Sequence, residues 1–220
     1  LQNTTINCAS DKKMIGQLAG GFLPYIFIAF GFIGCMYPAI DLFTGEKERG
    51  TLETLLTVPV SRWKILVGKM LVVVSSGMLA ATCALLGLFI SIEFLDLAAN
   101  KELLDVIHSV LTPTFIISMF ALLMPLVIFF AGVMIPIAIY AKSFKEAQSI
   151  ITPLNIVMVL PAMIGFFPGI ELNFTTAFIP VVNVVLATKE LIGGTVNLGS
   201  FLSVFGVMFL LACVAISLSL

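Results

Sequence analysis

Charged side chains are scarce in this chain. Of its 220 residues, 11 are Lys or Arg and 12 are Asp or Glu, which makes 10% charged, whereas soluble domains usually carry about 25%. Hydrophobic residues make up 60% of the chain, and its mean hydropathy is +1.17. Several apolar runs reach about 18 residues or more, the length of a membrane span. The composition therefore indicates a membrane protein and argues against a soluble helical domain.

Histidine and clustered cysteine are also lacking. The single histidine, His108, lies in a polar stretch, so a Glu–His pair for metal or acid–base chemistry inside a membrane is not expected. The four cysteines (Cys8, Cys35, Cys83 and Cys213) are scattered, without the spacing of a zinc site or a disulfide framework. A net charge of −1 gives no electrostatic reason to bind nucleic acid. We expect no catalytic residue, no metal site and no nucleic-acid partner.

The phosphate-binding loop of ATP-hydrolysing proteins is absent as well. Gly68-Lys69 is followed by Met70, without the upstream glycine or the Ser/Thr that would hold magnesium.

The chain begins at Leu1, and its first 17 residues lack the basic segment and apolar core of a secretory signal. We expect residues 1–17 to be the extracytoplasmic end of an upstream segment.

The apolar runs predict an all-α polytopic membrane protein, because about 20 residues of helix cross the roughly 30 Å of hydrocarbon. One transmembrane domain is expected over residues 18–220. Its predicted spans lie at about 18–40, 65–92, 113–140, 150–167 and 198–220. Pro125 and Pro136 predict kinks in the third span. Residues 168–197 mix polar and apolar side chains and predict an extracytoplasmic re-entrant or interfacial hairpin.

Small residues in the first two spans suit close helix packing. Gly31 and Gly34 lie three residues apart in the first span, and Gly77 belongs to a band of small residues in the second. Such residues let helix backbones approach each other in lipid. Glycine is also simply commoner in membrane helices than in soluble ones, and the residues alone leave both interpretations open.

Basic residues predict the orientation of the chain. If the segment Asp41–Met70 lies in the cytoplasm, seven of the eleven basic residues face inward: Lys47, Arg49, Arg62, Lys64, Lys69, Lys142 and Lys145. The remaining four face outward: Lys12, Lys13, Lys101 and Lys189. Basic residues accumulate on the cytoplasmic side. We therefore predict a multi-pass protein of the inner (plasma) membrane, with its amino end outside and its carboxyl end in the cytoplasm.

The segment Asp41–Met70 is the most informative part of the chain. It carries five of the eleven basic residues and four of the twelve acidic ones, between two apolar runs. A segment with this many charged side chains must lie in water and not in the hydrocarbon of the membrane. Its residues 41–64 form the predicted loop between the first two spans.

Within this loop, a short amphipathic helix is predicted from about Thr44 to Val58. One face of it carries three leucines at helical spacing: Leu52, Leu55 and Leu56. Pro59 ends the helix, and Ser61 is a candidate N-cap for the next span. The leucine face has two possible partners. It could lie on headgroups or on the chain's own helices, or insert into a groove on another protein.

The stretch GEKERGTLETLLTVPVSRWKILVGK resembles the cytoplasmic loop of the type-2 ABC exporter permeases, particularly their sodium-extrusion branch. In that family, acidic and basic residues lead to Thr-Leu-Glu, leucines, Pro-Val-Ser-Arg and then a Gly-Lys at the next span. The matching residues are Glu46, Glu48, Arg49, Gly50, Thr51, Leu52, Glu53, Leu55, Leu56, Pro59, Ser61, Arg62, Gly68 and Lys69. Residues 141–151 and 184–193 are also similar, so the resemblance covers most of the chain.

The resemblance implies a permease subunit that moves a small substrate out of the cytoplasm, with sodium suggested by the family branch. A separate ABC ATP-binding subunit would bind ATP and magnesium, while this chain binds no cofactor. A second permease copy, identical or different, is implied too. The implied ATPase-coupling residues are Glu46, Glu48, Arg49, Leu52, Glu53, Leu55 and Leu56. The implied elbow at the membrane interface consists of Pro59, Ser61, Arg62 and Lys69.

Two other functions are less favoured. An ATP-independent secondary transporter or channel normally keeps ionisable residues at mid-membrane, and none of the five runs has one near its centre. Sodium can be held by neutral oxygens, for which the candidates are Asn155, Ser75, Ser76 and Thr82, although packing roles suit each of them. A membrane enzyme would need paired polar groups within the runs, where acidic residues occur only at the ends.

Overall fold

Every regular element in the described part of the chain is a helix. A computed structural model describes residues 8–51, 54, 57, 59–94, 113–167, 170, 172–193 and 198–219. The helices are α1 (Cys8–Ile40), α2 (Arg62–Phe94), α3 (Pro113–Tyr140), α4 (Phe144–Val159), α5 (Phe174–Ala177), α6 (Val182–Gly193) and α7 (Leu198–Ser219). A π-helical turn, Asp41–Gly45, and one α-helical turn, Glu46–Glu48, extend α1, and a 3-10 helix, Leu160–Phe166, extends α4.

Five of the described helical stretches are long and apolar enough to span a membrane. They are Gly20–Glu48, Arg62–Leu88, Phe115–Tyr140, Phe144–Phe166 and Gly199–Ser217. This confirms the predicted all-α polytopic fold. The third stretch matches its predicted bounds closely, and α3 continues through Pro125 and Pro136 as one helix.

Two stretches are longer than the sequence predicted. The first continues past Ile40 to Glu48, and the backbone then turns at Gly50, whose φ of +70° is a conformation that ends helices and favours glycine. The fourth begins at Phe144, six residues before its predicted start. The Ser143 side chain accepts the N–H of Glu146 at 3.2 Å, and this cap allows the helix to begin among polar residues.

Helix α3 lies at the centre of the bundle. In an apolar 18-residue window of its span 67% of the residues are buried, against 17% in the corresponding window of α2, and α3 contacts α1, α2, α4, α6 and α7. The rings of Phe32 on α1 and Phe130 on α3 meet edge to face at 5.1 Å. Large apolar side chains such as Leu71 and Leu79 on α2 are exposed, as expected of a helix that faces lipid.

Helices α1 and α2 cross at two glycines. A Cβ added to Gly77 would lie 2.9 Å from Cγ1 of Val127 and would overlap the Sγ of Cys35. A Cβ added to Gly34 would overlap that of Ala80. Of the two interpretations of the small residues, the structure supports close packing at Gly34 and Gly77, because neither position has room for a side chain.

The hairpin predicted within residues 168–197 is represented by α5 and α6. Helix α6 is largely buried against α1 and the 3-10 helix. The intervening turn contains Val181 at a φ of +72°, which is unfavourable for a β-branched residue. The buried Asn183 stabilises this turn, because its Nδ2 donates to the Ala177 carbonyl at 3.0 Å and its Oδ1 accepts the Val184 N–H at 2.7 Å. That the hairpin re-enters the membrane stays a prediction.

The close approach at Gly77 can be tested by substitution. We expect Gly77→Ala to lower the free energy of unfolding by about 1–3 kcal/mol, because the added methyl group meets the helix across the crossing. Gly87→Ala is the matched control on α2, since a Cβ at Gly87 would have no atom of the described residues within 4 Å other than its chain neighbours and the nearby backbone of α2. Thermal unfolding of the purified protein in detergent measures both. Equal melting temperatures for the two variants would contradict the packing assigned to Gly77.

Candidate functional site

We call residues 41–64 the charged loop. It begins where α1 passes into the π-helical turn. Single π-helical turns within α-helices occur frequently at functional sites. The turn brings the buried Thr44 against the end of α3, where its Oγ1 donates to the Ala138 carbonyl at 2.7 Å. We call the end of the bundle formed by residues 140–146 and by the described residues between 41 and 64 the loop end.

Lys69 on α2 binds this turn. Its Nζ donates to the Leu42 carbonyl at 2.6 Å and forms an ion pair with the Glu46 carboxylate, and it lies 5.0 Å from the centroid of the Phe43 ring. The two charged side chains are only 11% and 24% exposed. Each ion therefore depends on the other, because removal of one partner leaves a largely desolvated charge unpaired.

Lys47 and Glu48 reach across to the turn between α3 and α4. The Lys47 Nζ donates to the carbonyls of Ile139 at 2.7 Å and Ala141 at 3.1 Å. The Phe144 N–H donates to Oε1 of Glu48 at 2.8 Å. Backbone groups at helix ends have no partner within their own helix, so side chains of the charged loop supply partners that the α3–α4 turn requires.

We call the contacts of Thr44, Glu46, Lys47, Glu48 and Lys69 the polar node. It joins the extension of α1 to α2 through Lys69 and to the α3–α4 turn through Thr44, Lys47 and Glu48. What it does is connect four helices at one end of the bundle.

The predicted coupling residues fall into two groups. Glu46 and Glu48 belong to the polar node, and Arg49 pairs with Asp41 at 2.7 Å with both side chains at least half exposed, an arrangement that contributes little stability. The remaining members, Leu52, Glu53, Leu55 and Leu56, lie outside the described residues. Their coupling role stays a prediction.

The predicted elbow lies at the start of α2. Pro59, Ser61 and Arg62 are exposed, and Ser61 directly precedes the helix, where its carbonyl accepts the N–H groups of Lys64 at 2.9 Å and Ile65 at 3.5 Å. Lys69 does not lie with the other three. It is two turns further along α2 and is held by the polar node.

Three residues of the loop end were not among the predicted site residues. Thr44 and Lys47 make their contacts with residues more than 90 positions away, so no local pattern indicates them. Ser143 has a local signal, since Ser143 and Glu146 have the spacing of a helix capping box. In the structure, the Glu146 carboxylate accepts the Lys142 N–H at 2.8 Å, next to the N-cap.

Two of the candidate neutral ligands for sodium donate to backbone carbonyls, and a third lies on another helix. The hydroxyls of Ser75 and Thr82 donate to the carbonyls of Val72 at 2.9 Å and Met78 at 2.7 Å, within α2 itself. Asn155 lies on α4, where its Nδ2 is buried and has no hydrogen-bond partner among the described residues. The described residues contain no group of three or more His, Cys, Asp or Glu placed to hold a metal ion.

Removal of the Lys69 charge should destabilise the loop end. We expect Lys69→Met to lower the free energy of unfolding by about 2–3 kcal/mol, because Glu46 and the Leu42 carbonyl lose their partner. The double variant Lys69→Met with Glu46→Gln should recover part of this loss. Arg49→Met is the control for an exposed pair and should cost no more than about 1 kcal/mol. If both single variants melt at the same temperature in detergent, the ion pair is not the buried contact described.

Comparison with known proteins agrees with this architecture. Residues 2–220 match the family model described as ABC-2 family transporter protein. The chain is 31% identical over 212 residues to a protein of Bacillus subtilis (strain 168) named ABC transporter permease protein NatB, an alignment that covers 93% of this chain. It spans about half the length of that curated relative, 52%. No solved structure gives a significant match.

The family model covers almost the whole chain, and five apolar helical stretches with a charged loop between the first two are the features expected of such a transporter. The chain therefore belongs to the ABC-2 family of transporter proteins.

Proposed function

We propose that this chain is the transmembrane permease domain of an ATP-driven exporter, and that its charged loop binds a separate ABC ATP-binding subunit. The observation that carries the proposal is the polar node, which ties this loop to α2 and to the α3–α4 turn. A loop held in this way can transmit force to the bundle. Family membership and the name of the Bacillus relative support the same function.

The orientation follows from the basic residues. The loop end carries six basic residues, Lys47, Arg49, Arg62, Lys64, Lys142 and Lys145, and basic loops face the cytoplasm. We place the loop end on the cytoplasmic side of the inner (plasma) membrane, with the amino end of the chain outside and its carboxyl end inside. ATP and magnesium are then available to a partner subunit docked there.

The proposed cycle has three steps. ATP closes a pair of ATP-binding subunits, the charged loop moves with the subunit that it contacts, and the helices tilt so that the substrate site opens outward. Two permease copies are required, one for each ATP-binding subunit. Sodium is the substrate that we propose to test first, because the charged loop resembles that of the sodium-extrusion branch.

The docking role of the leucine face has a direct test. Leu52→Asp combined with Leu55→Asp should abolish co-purification of the ATP-binding subunit, because the leucines that the sequence predicts as apolar anchors are replaced by charges. Membrane insertion should be unchanged. Thr54→Asp combined with Thr57→Asp adds the same two charges at exposed positions with the same spacing and should leave co-purification intact. Retention of the subunit by the double variant refutes the docking role.

The substrate and energy source can be tested in reconstituted vesicles. The permease with its ATP-binding subunit should move sodium only when ATP and magnesium are supplied on the side of that subunit. Since this chain lacks a phosphate-binding loop, permease alone should give no ATP-driven flux. ATP-driven flux of another cargo but not sodium would retain the exporter and reject the substrate. Sodium flux that needs no ATP would instead support a secondary transporter.

A further inference from the structure

The α3–α4 turn carries contacts whose partners come from a different part of the chain. Three carbonyls at the end of α3 are bound by the extension of α1: that of Ala138 by Thr44, and those of Ile139 and Ala141 by Lys47. The first backbone N–H of α4, on Phe144, is bound by Glu48. The sequence separations are 92 to 96 residues, so these contacts join elements that the chain does not connect directly.

The two charges have the signs that the helix ends require. Helix α3 ends at Tyr140, and the carboxyl end of a helix is the negative end of its dipole, where the Lys47 ammonium lies. Helix α4 starts at Phe144, and the amino end of a helix is the positive end, where the Glu48 carboxylate lies. Two neighbouring residues, Lys47 and Glu48, therefore bind the carboxyl end of α3 and the amino end of α4.

The turn itself is short and internally stabilised. Only residues 141–143 separate the two helices, and Ser143 and Glu146 satisfy the backbone groups next to the cap. The ends of α3 and α4 must consequently move together. Lys47 and Glu48 connect the ends of α3 and α4 to the charged loop.

The charged loop is directly connected to α1 and α2 by the chain, since it links those two helices. Helices α3 and α4 do not adjoin the loop in sequence, and α3 is the most buried of the described spans. We propose that Lys47 and Glu48 form a clamp that passes movement of the charged loop to α3 and α4. This inference rests on the proposed function for the source of the movement, while the clamp itself is a property of the permease alone.

The clamp can be measured as a distance. Nitroxide labels at Thr51 and Ser149, both exposed, report on the loop and on α4 in a chain whose four cysteines are replaced by alanine. Pulsed electron resonance on the permease alone should give one narrow distance distribution. Lys47→Met should broaden it, whereas Lys47→Arg should preserve it because the cation remains. Lys145→Met, which removes an exposed lysine at the same end, is the matched control and should also preserve it.

A swap of the two charges separates a clamp from a general electrostatic effect. The variant Lys47→Glu with Glu48→Lys keeps composition and net charge but places each charge at the wrong helix end. We expect it to broaden the distribution at least as much as Lys47→Met. Narrow, wild-type distributions for both Lys47→Met and the swap would overturn the proposal. If the swap does not fold, as judged by size exclusion, Glu48→Gln provides the second variant and should broaden the distribution as well.

A second readout distinguishes transmission from stability. With the ATP-binding subunit bound, Lys47→Met should keep ATP hydrolysis but lower ATP-driven flux by about tenfold, the loss expected when one charge-assisted contact is removed from the moving path. Equal loss of hydrolysis and flux would overturn transmission through the clamp. If no ATP-binding subunit associates with the wild-type chain, the proposed function fails, and the distances in the permease alone still decide whether the clamp exists.

Discussion

Backbone groups at helix ends have no partner within their own helix, and in a membrane protein this constraint decides where polar side chains are needed. The loop end of this protein meets the constraint with side chains from elsewhere in the chain. Lys69 binds the Leu42 carbonyl within the π-helical turn, and Lys47 binds carbonyls at the end of α3. The same contacts that satisfy the backbone also join α1, α2, α3 and α4 at one place.

The rest of the bundle contrasts with this arrangement. Along the spans, packing depends on apolar and small residues, such as the close approach of α1 and α2 at Gly34 and Gly77. Most of the described contacts of charged groups lie at the loop end; Lys189 and Glu190 make two more elsewhere, to the Phe167 carbonyl at 2.7 Å and the Leu172 N–H at 3.3 Å. We therefore propose that force enters at the polar node.

The sequence predicted those features whose signals are local. Apolar runs located the five described helical stretches that are long and apolar enough to span a membrane, and the charges of Asp41–Met70 located the segment that carries Glu46 and Glu48. The early start of α4 also had a local signal, the capping pattern of Ser143 and Glu146, which the hydropathy of the run obscured. Boundaries drawn from apolar residues alone stop too soon wherever a polar cap extends the helix.

The polar node could not be predicted in the same way. Lys47 and Thr44 bind main-chain carbonyls, and every residue of any sequence carries a carbonyl, so no pattern reveals which one is free. The family resemblance implies an elbow at the membrane interface that includes Lys69, whereas its partner in the structure is Glu46, 23 residues away. Such contacts depend on how the helices pack, which only the folded structure shows.

The central claim is that the charged loop is the part of this protein that an ATP-binding subunit holds inside the cell. A photo-crosslinking phenylalanine analogue at Thr54, exposed in that loop, tests it most directly in intact cells, with the exposed Phe178 beside α5 as the comparison position. The account predicts a crosslink from position 54 to an ABC ATP-binding subunit and none from position 178. Absence of that crosslink, together with labelling of a Cys at position 54 by a membrane-impermeant thiol reagent added outside the cell, would contradict it.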